Sequence, residues 1–293
     1  MRQQVVISDV APLFRQPEEN AERTDEALMG MVVEVTGTAE NGFVPVRTHY
    51  RYEGYMPVSC LSNAETDVDA WASVPKWAVW SPYLDIQVQP RVQASVMASC
   101  PRGGLLAVIP GGTNGGGTAE SRTHVALSNV NYAEGWTNVG LPDGRSGYVR
   151  TACIAPQASA PPLENPLRGK LVSAAKLYMH TQYRWGGKSP LGIDCSGLTS
   201  MAYMLNGIII YRDSDIRPGF PVREVPCEAM AAGDLLFFKG HVAMYIGGGE
   251  YIHSTAFPAS GGVTINSLDP AHPAYREDLA NGILKIGSVF PYE

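Results

Sequence analysis

Cys195 closes the loop Tyr183-Arg184-Trp185-Gly186-Gly187-Lys188-Ser189-Pro190-Leu191-Gly192-Ile193-Asp194 and opens a helical pattern. Leu198, Met201, Ala202 and Leu205 fall at i, i+3, i+4 and i+7, one face of a helix, and Gly207 supplies a stop. Asp194 is an N-cap residue type, so Cys195 is expected in the first turn. There the positive end of the helix favours thiolate over thiol, and a thiolate is a nucleophile wherever a histidine can manage its proton. Of six histidines, two stand where such a base and its partner are needed. His241 opens a strand pattern that runs to Ile246, with His241, Ala243 and Tyr245 on one face. Gly247-Gly248-Gly249 make a turn, and Tyr251-Ile252-His253 can return antiparallel, which brings both imidazoles to one end of a hairpin. His241 is then the base for the thiol proton, and His253 orients it.

The rest of the chain must hold these three residues in place. With 293 residues it exceeds what one core usually serves, and 45% apolar with 17% charged residues describes an ordinary globular composition. A net charge of −6 argues against a nucleic-acid partner, and no run of about 18 apolar residues suggests a membrane one. Residues 1–66 read as β, with Met31–Thr36 and Phe43–Arg47 on either side of the turn signal Asn41-Gly42. Glu18 to Glu26 is polar and reads as a solvated loop. Residues 67–155 form a second β region, with strand patterns at Leu105–Ile109, Gly135–Val139 and Gly147–Val149. Its run Pro110–Thr118 is glycine-rich but lacks the Gly-Lys-Ser/Thr of a phosphate loop. Gly54-Tyr55-Met56 echoes Gly147-Tyr148-Val149, which hints at a repeated fold.

Residues 156–166 are a stiff Pro/Ala/Ser linker, and the composition then changes. Leu171, Ala174, Ala175 and Tyr178 mark a helix ahead of the Cys195 helix. Strand patterns follow at 235–238, 241–246, 251–253, 263–265 and 283–286, so residues 167–293 read as α+β. Met1 to Asp9 lacks the apolar stretch of about 7–15 residues that marks a signal peptide. Five widely spaced cysteines, an odd number, fit buried thiols in a reducing compartment, and the expected location is the cytoplasm.

The ordered motifs Tyr-x-Trp-Gly-Gly, Asp-Cys-Ser-Gly, Gly-Asp-Leu-Leu-Phe-Phe, His-Val-Ala-Met-Tyr-Ile-Gly and Tyr-Ile-His-Ser resemble the NlpC-type cysteine peptidases of the papain-like superfold, over about residues 168–290. The resemblance implies Cys195 as nucleophile, His241 as base and His253 as the residue that orients it. The N-terminal half is similar to the two bacterial SH3-like domains of the dipeptidyl-peptidase VI branch. Those enzymes are γ-D-glutamyl-L-diamino-acid endopeptidases that require a free L-alanine N-terminus. By that resemblance Asp213 and Ser214, in Arg212-Asp213-Ser214, contribute to the pocket for the alanine ammonium. Tyr183, Trp185, Asp194 and Ser196 match residues that line it. A Glu and a Tyr come from the first SH3-like domain; Glu22 or Glu26, and Tyr52 or Tyr55, are the candidates. The implied substrate is a murein tri- or tetrapeptide, cut between γ-D-Glu and the diamino acid in cell-wall peptide recycling.

One departure is that only Lys239-Gly240 separates Phe238 from His241, where relatives often carry a longer loop beside the cleft. Two other readings stand beside the recycling enzyme: a secreted endopeptidase acting on intact peptidoglycan stems, and a non-catalytic murein-peptide-binding protein. No cofactor is expected, and no metal, because zinc usually takes more ligands at closer spacing than Cys195, His241 and His253 offer.

Overall fold

The computed structural model describes residues 2–63, 68–109, 135–158 and 164–291, so the glycine-rich run at 110–118 lies outside the described residues. It divides into two compact units, Met1–Gln157 and Ala158–Glu293. The first unit is almost wholly β. Strands β1 (Arg2–Val5), β2 (Val10–Phe14), β3 (Arg23–Leu28), β4 (Val32–Val35), β5 (Phe43–Thr48) and β6 (Glu53–Pro57) form one antiparallel sheet. A short helix α1 (Val68–Ser73) follows, which the sequence pattern did not announce. A second sheet holds β7 (Lys76–Val79), β8 (Tyr83–Gln87), β9 (Val96–Pro101), β10 (Leu105–Val108), β11 (Trp136–Gly140), β12 (Ser146–Arg150) and β13 (Ile154–Pro156).

The strand orders are β1-β4-β5-β6-β2-β3 and β13-β7-β10-β11-β12-β8-β9. Apart from β13, the second order is the first with every number raised by six, so the fold repeats. The echo of Gly54-Tyr55 in Gly147-Tyr148 has a steric cause. Both glycines sit on equivalent strands, β6 and β12, pressed against β2 and β8. A Cβ on Gly54 would lie 3.1 Å from the Phe14 carbonyl oxygen, and one on Gly147 would lie 2.7 Å from Ile86 Cγ2.

The polar run before Leu28 departs from the expected solvated loop. Arg23–Leu28 is strand β3, and Asp25 and Glu26 are fully buried within it. Asp25 accepts a 2.5 Å hydrogen bond from the Tyr50 hydroxyl, and Glu26 pairs with Arg23 at 2.7 Å. Partners brought by the tertiary fold make the buried carboxylates tolerable, which composition cannot reveal.

In the second unit, α2 (Glu164–Lys176) begins inside the expected linker, with Pro166 in its first turn, where a missing N–H costs nothing. Together with β13 ending at Pro156, this leaves a shorter connection than the 156–166 reading. A small ribbon of β14 (Lys188–Ser189) and β15 (Gly192–Ile193) leads into α3 (Cys195–Met204). Helix α3 is buried from Cys195 through Tyr203 rather than on one face, being covered by α2 and by the sheet. That sheet contains β16 (Arg223–Val225), β17 (Leu235–Phe238), β18 (His241–Gly247), β19 (Glu250–Ser254) and β20 (Val263–Ser267), then α4 (Glu277–Ala280) and β21 (Lys285–Ser288). Its order is β16-β21-β17-β18-β19-β20. The last strand starts two residues later than the 283–286 pattern suggests, and Leu284 is exposed instead. The fully buried Asp234 holds helix to sheet, accepting from Arg168 on α2 at 3.0 Å and from Ser288 on β21 at 2.6 Å.

Candidate active site

Asp194 caps α3 from an extended backbone (φ −92°, ψ −177°), and its Oδ1 accepts the Gly197 N–H at 2.6 Å. Its Oδ2 accepts the Gly186 N–H at 2.9 Å, which ties the glycine loop to the helix start. The loop must press close: a Cβ on Gly197 would fall 2.2 Å from the Gly187 carbonyl oxygen. Beneath this junction lies Arg212, only 1% exposed. Its guanidinium bonds both oxygens of Asp194, at 3.0 and 3.1 Å, the Ser196 hydroxyl at 2.6 Å and the Gly187 carbonyl at 3.2 Å. Asp194 and Ser196 are thus committed to the chain's own donors. Through these bonds both residues hold the start of the nucleophile's helix.

Cys195 is 8% exposed, at the first position of α3. The backbone N–H groups of Val242 and Ser196 lie near its sulfur and favour the thiolate. The Val242 contact places the sulfur at the start of β18, beside His241. His241 stays there because Phe238 and His241 pair directly across the Lys239-Gly240 turn, with Gly240 at φ +70°. Across β18 and β19, Met244 faces Ile252, so His253 stands diagonally from His241 on the same face. His241 Nε2 and His253 Nδ1 are 2.8 Å apart, with the rings nearly perpendicular at 78°. On its other side, His253 Nε2 is 2.8 Å from Asn266 Oδ1 on β20.

Burial sets the protonation states. It pushes the Cys195 thiol up to about 11, with the Asp194 charge adding to the rise and Arg212 opposing it. It pushes His241 down to about 3, helped by the neighbouring His253 and by Arg276, and His253 down to about 4. Burial thus pushes each group, taken singly, towards its neutral form, against the pull of the helix start on the thiol.

The other sequence candidates take varied places. Tyr183 is half-buried, bridges Ile193, and has its phenol raised by burial and by the nearby sulfur and Asp194. Trp185 is 59% exposed. Asp213 is half-buried, accepts from the Tyr211 hydroxyl at 3.3 Å, and lines a small cavity with Thr199, Ile210, Tyr211, Asp215 and Val242. Ser214 is half-buried beside it. Glu22, Glu26, Tyr52 and Tyr55 belong to the first unit. There Glu22 is exposed and pairs with Arg15 at 2.7 Å, Glu26 pairs with Arg23, and both tyrosines are half-buried.

Sequence reasoning missed Arg212 as the counter-charge to Asp194, the Val242 amide, and Asn266. Only the alternation of the Val263–Ser267 pattern marks Asn266, and that places it on a face without naming its neighbour.

The model of the NlpC/P60 family matches residues 180–279, which span α3, both histidines and Asn266. The chain is 39% identical to the dipeptidyl-peptidase 6 of Lysinibacillus sphaericus over 98% of its own length and 99% of that protein. The chain belongs to the NlpC/P60 family. A bacterial dipeptidyl-peptidase Sh3 domain matches residues 13–61, in the first of the two repeated sheets. A γ-D-glutamyl-L-lysine dipeptidyl-peptidase of Bacillus cereus is 37% identical over 48% of this chain and 43% of that one. The crystal structure of an NlpC/P60 family protein from Bacillus cereus superposes with a TM-score of 0.76 at 23% identity, covering 99% and 100% of the two chains, and so shares the fold. This protein is thus an NlpC/P60 cysteine peptidase, and the family match spans both Cys195 and His241.

Proposed function

We propose that this peptidase hydrolyses the bond between γ-D-Glu and the diamino acid of murein peptides with a free N-terminal L-Ala, releasing L-Ala-D-Glu. The observation that carries the reading is the Cys195 sulfur, faced by the amide next to His241, at the start of a capped helix. The near full-length likeness to a protein named dipeptidyl-peptidase 6 supports the substrate. His241 takes the thiol proton as Cys195 Sγ bonds to the γ-carbonyl carbon. The Cys195 N–H, which as the first residue of α3 has no intrahelical acceptor, faces the developing oxyanion. The tetrahedral adduct collapses, the C–N bond breaks, and the proton on His241 passes to the leaving amine. Water then attacks the thioester carbonyl as His241 takes one of its protons, the C–S bond breaks to free the γ-carboxyl of L-Ala-D-Glu, and His241 gives that proton to sulfur.

Asp213 supports the free-amine requirement, since it brings a carboxylate to a cavity that Val242 also lines. An ammonium paired there would be replaced by nothing in an N-acetylated peptide, and stranding one partner of such a pair costs roughly 3–5 kcal/mol. Incubation with L-Ala-γ-D-Glu-diaminopimelate and its N-acetyl form, read by mass spectrometry, tests this. Cleavage of the first alone is expected; equal cleavage of both would refute the amine pocket, and full activity in Cys195→Ala would refute the mechanism. The proposed setting is recycling of wall peptides in the cytoplasm, supported by five unpaired thiols; subcellular fractionation checks it.

A further inference from the structure

The polar chain behind His241 does not stop at His253. Asn266 Oδ1 is 2.8 Å from His253 Nε2, and Asn266 Nδ2 donates to the Ala274 carbonyl at 2.8 Å. A carbonyl oxygen only accepts, so Ala274 fixes which end of the Asn266 amide is nitrogen. The amide oxygen is thereby turned to His253, and it too only accepts. His253 Nε2 must carry the hydrogen, and in the neutral ring Nδ1 is then a lone pair. That lone pair takes the hydrogen of His241 Nε2, 2.8 Å away, and leaves His241 Nδ1 bare. Nδ1 is the remaining ring nitrogen, and a bare nitrogen is what a base for the Cys195 thiol needs. The direction of every hydrogen bond in the row thus follows from one backbone carbonyl.

We propose that Asn266, held by the Ala274 carbonyl, is a positioning residue that sets the tautomers of His253 and His241 and supports the imidazolium formed when Cys195 loses its proton. An amide suits the place because it cannot take the proton, which therefore stays in the imidazole pair. Ala274 also accepts from the Ser267 N–H at 3.1 Å, and Tyr275 bridges Ser267, so the anchoring carbonyl is fixed to β20 itself. Two charged groups act on the imidazoles, Arg276 opposing their protonation and Asp278 favouring it, while the Tyr251 ring packs against His253 and the Phe238 ring against His241.

The inference rests on Cys195 and His241 as nucleophile and base, but its test does not need the murein substrate. The rate of Cys195 alkylation by iodoacetamide at pH 7 reports how readily the thiolate–imidazolium pair forms. Asn266→Leu removes the acceptor at similar volume and should slow alkylation by about 10- to 100-fold, the range for losing a partner that orients a working histidine. Asn266→Asp gives up the bond to the Ala274 carbonyl but keeps an acceptor, now charged, against His253, and should alkylate faster than Asn266→Leu. That ranking of two substitutions at one site is not what loosened packing produces. Should the leucine variant melt early, Asn266→Ala takes its place. Wild-type alkylation in the leucine or alanine variant would overturn the proposal, and so would an aspartate variant as slow as the apolar one. Loss of peptide cleavage with the alkylation ranking intact would count against the substrate reading alone.

Discussion

Arg212→Met should be the most damaging substitution outside the reacting residues, for a reason that can be worked in numbers. The guanidinium is 1% exposed and meets Asp194 through two bonds of about 3 Å. At an effective dielectric near 20, unit charges about 4 Å apart attract by about 4 kcal/mol. Methionine fills similar space but leaves Asp194 with the Gly197 and Gly186 N–H groups and the Ser196 hydroxyl at 3.3 Å. Those bonds to the carboxylate remain, so the loss should fall near the lower end of the roughly 3–5 kcal/mol seen when one partner of a buried pair is removed. Against a typical total of about 5–15 kcal/mol, that is a large fraction. The charge also reaches the sulfur, where Asp194 raises the thiol and Arg212 lowers it. Urea unfolding of the catalytic unit's transition should therefore show the loss, and iodoacetamide alkylation of Cys195 should slow. Adding Asp194→Asn to Arg212→Met removes the stranded charge and should recover a good part of the stability. A cost below about 1 kcal/mol for Arg212→Met, or a double variant no more stable than the single, would show that the charge pair is not what holds the helix start.

Two further outcomes follow from burial and from close approach. His241 and His253 are held below the ordinary histidine range, so below pH 6.5 the unfolded chain binds protons that the folded chain does not. Stability should fall as pH drops from about 6.5 towards 4, and the fall should be smaller by on the order of 2–3 kcal/mol at pH 4.5 in His253→Leu than in wild type, read from urea curves at both pH values. Equal pH slopes would refute the lowered pKa of the buried imidazoles. Gly197→Ala should abolish alkylation-competent Cys195 or lower the melting temperature, because its Cβ would sit 2.2 Å from the Gly187 oxygen of the backbone. A variant that alkylates and melts like wild type would show that the loop yields at no cost.

Local signals carried much of this site. An N-cap type before a helical period puts Cys195 at a helix start, and a two-residue turn fixes where His241 stands; both depend on neighbours within a few positions. Asn266 was not legible because the connection from Ser254 to Val263 sets its register against His253, and nothing in those residues reveals which diagonal they will choose. Arg212 was legible as part of a motif but not as the partner of Asp194, since an irregular stretch carries it back under the helix. Asp25 and Glu26 were misread for the related reason that a buried carboxylate is tolerable only through partners such as Tyr50 and Arg23, which the fold delivers. The repeated sheets showed in the sequence only where sterics left no choice, at Gly54 and Gly147.

The helix start and the burial of the thiol compete, and their sizes decide the resting state. A helix N-terminus favours an anion by about 0.3–1 kcal/mol, up to about 2 in partly buried geometry. Raising the thiol from 9.0 to about 11 corresponds to roughly 3 kcal/mol the other way. The helix alone cannot make the thiolate, and neither can His241 alone make an imidazolium. Made together, however, the two opposite charges attract, so each offsets part of the burial cost of the other. Nucleophile and base must then ionise as a pair, with the proton moving between them in the covered site. The groups that do not react, Arg212 under the sulfur and Asn266 behind the histidines, are placed one at each end of that charge separation.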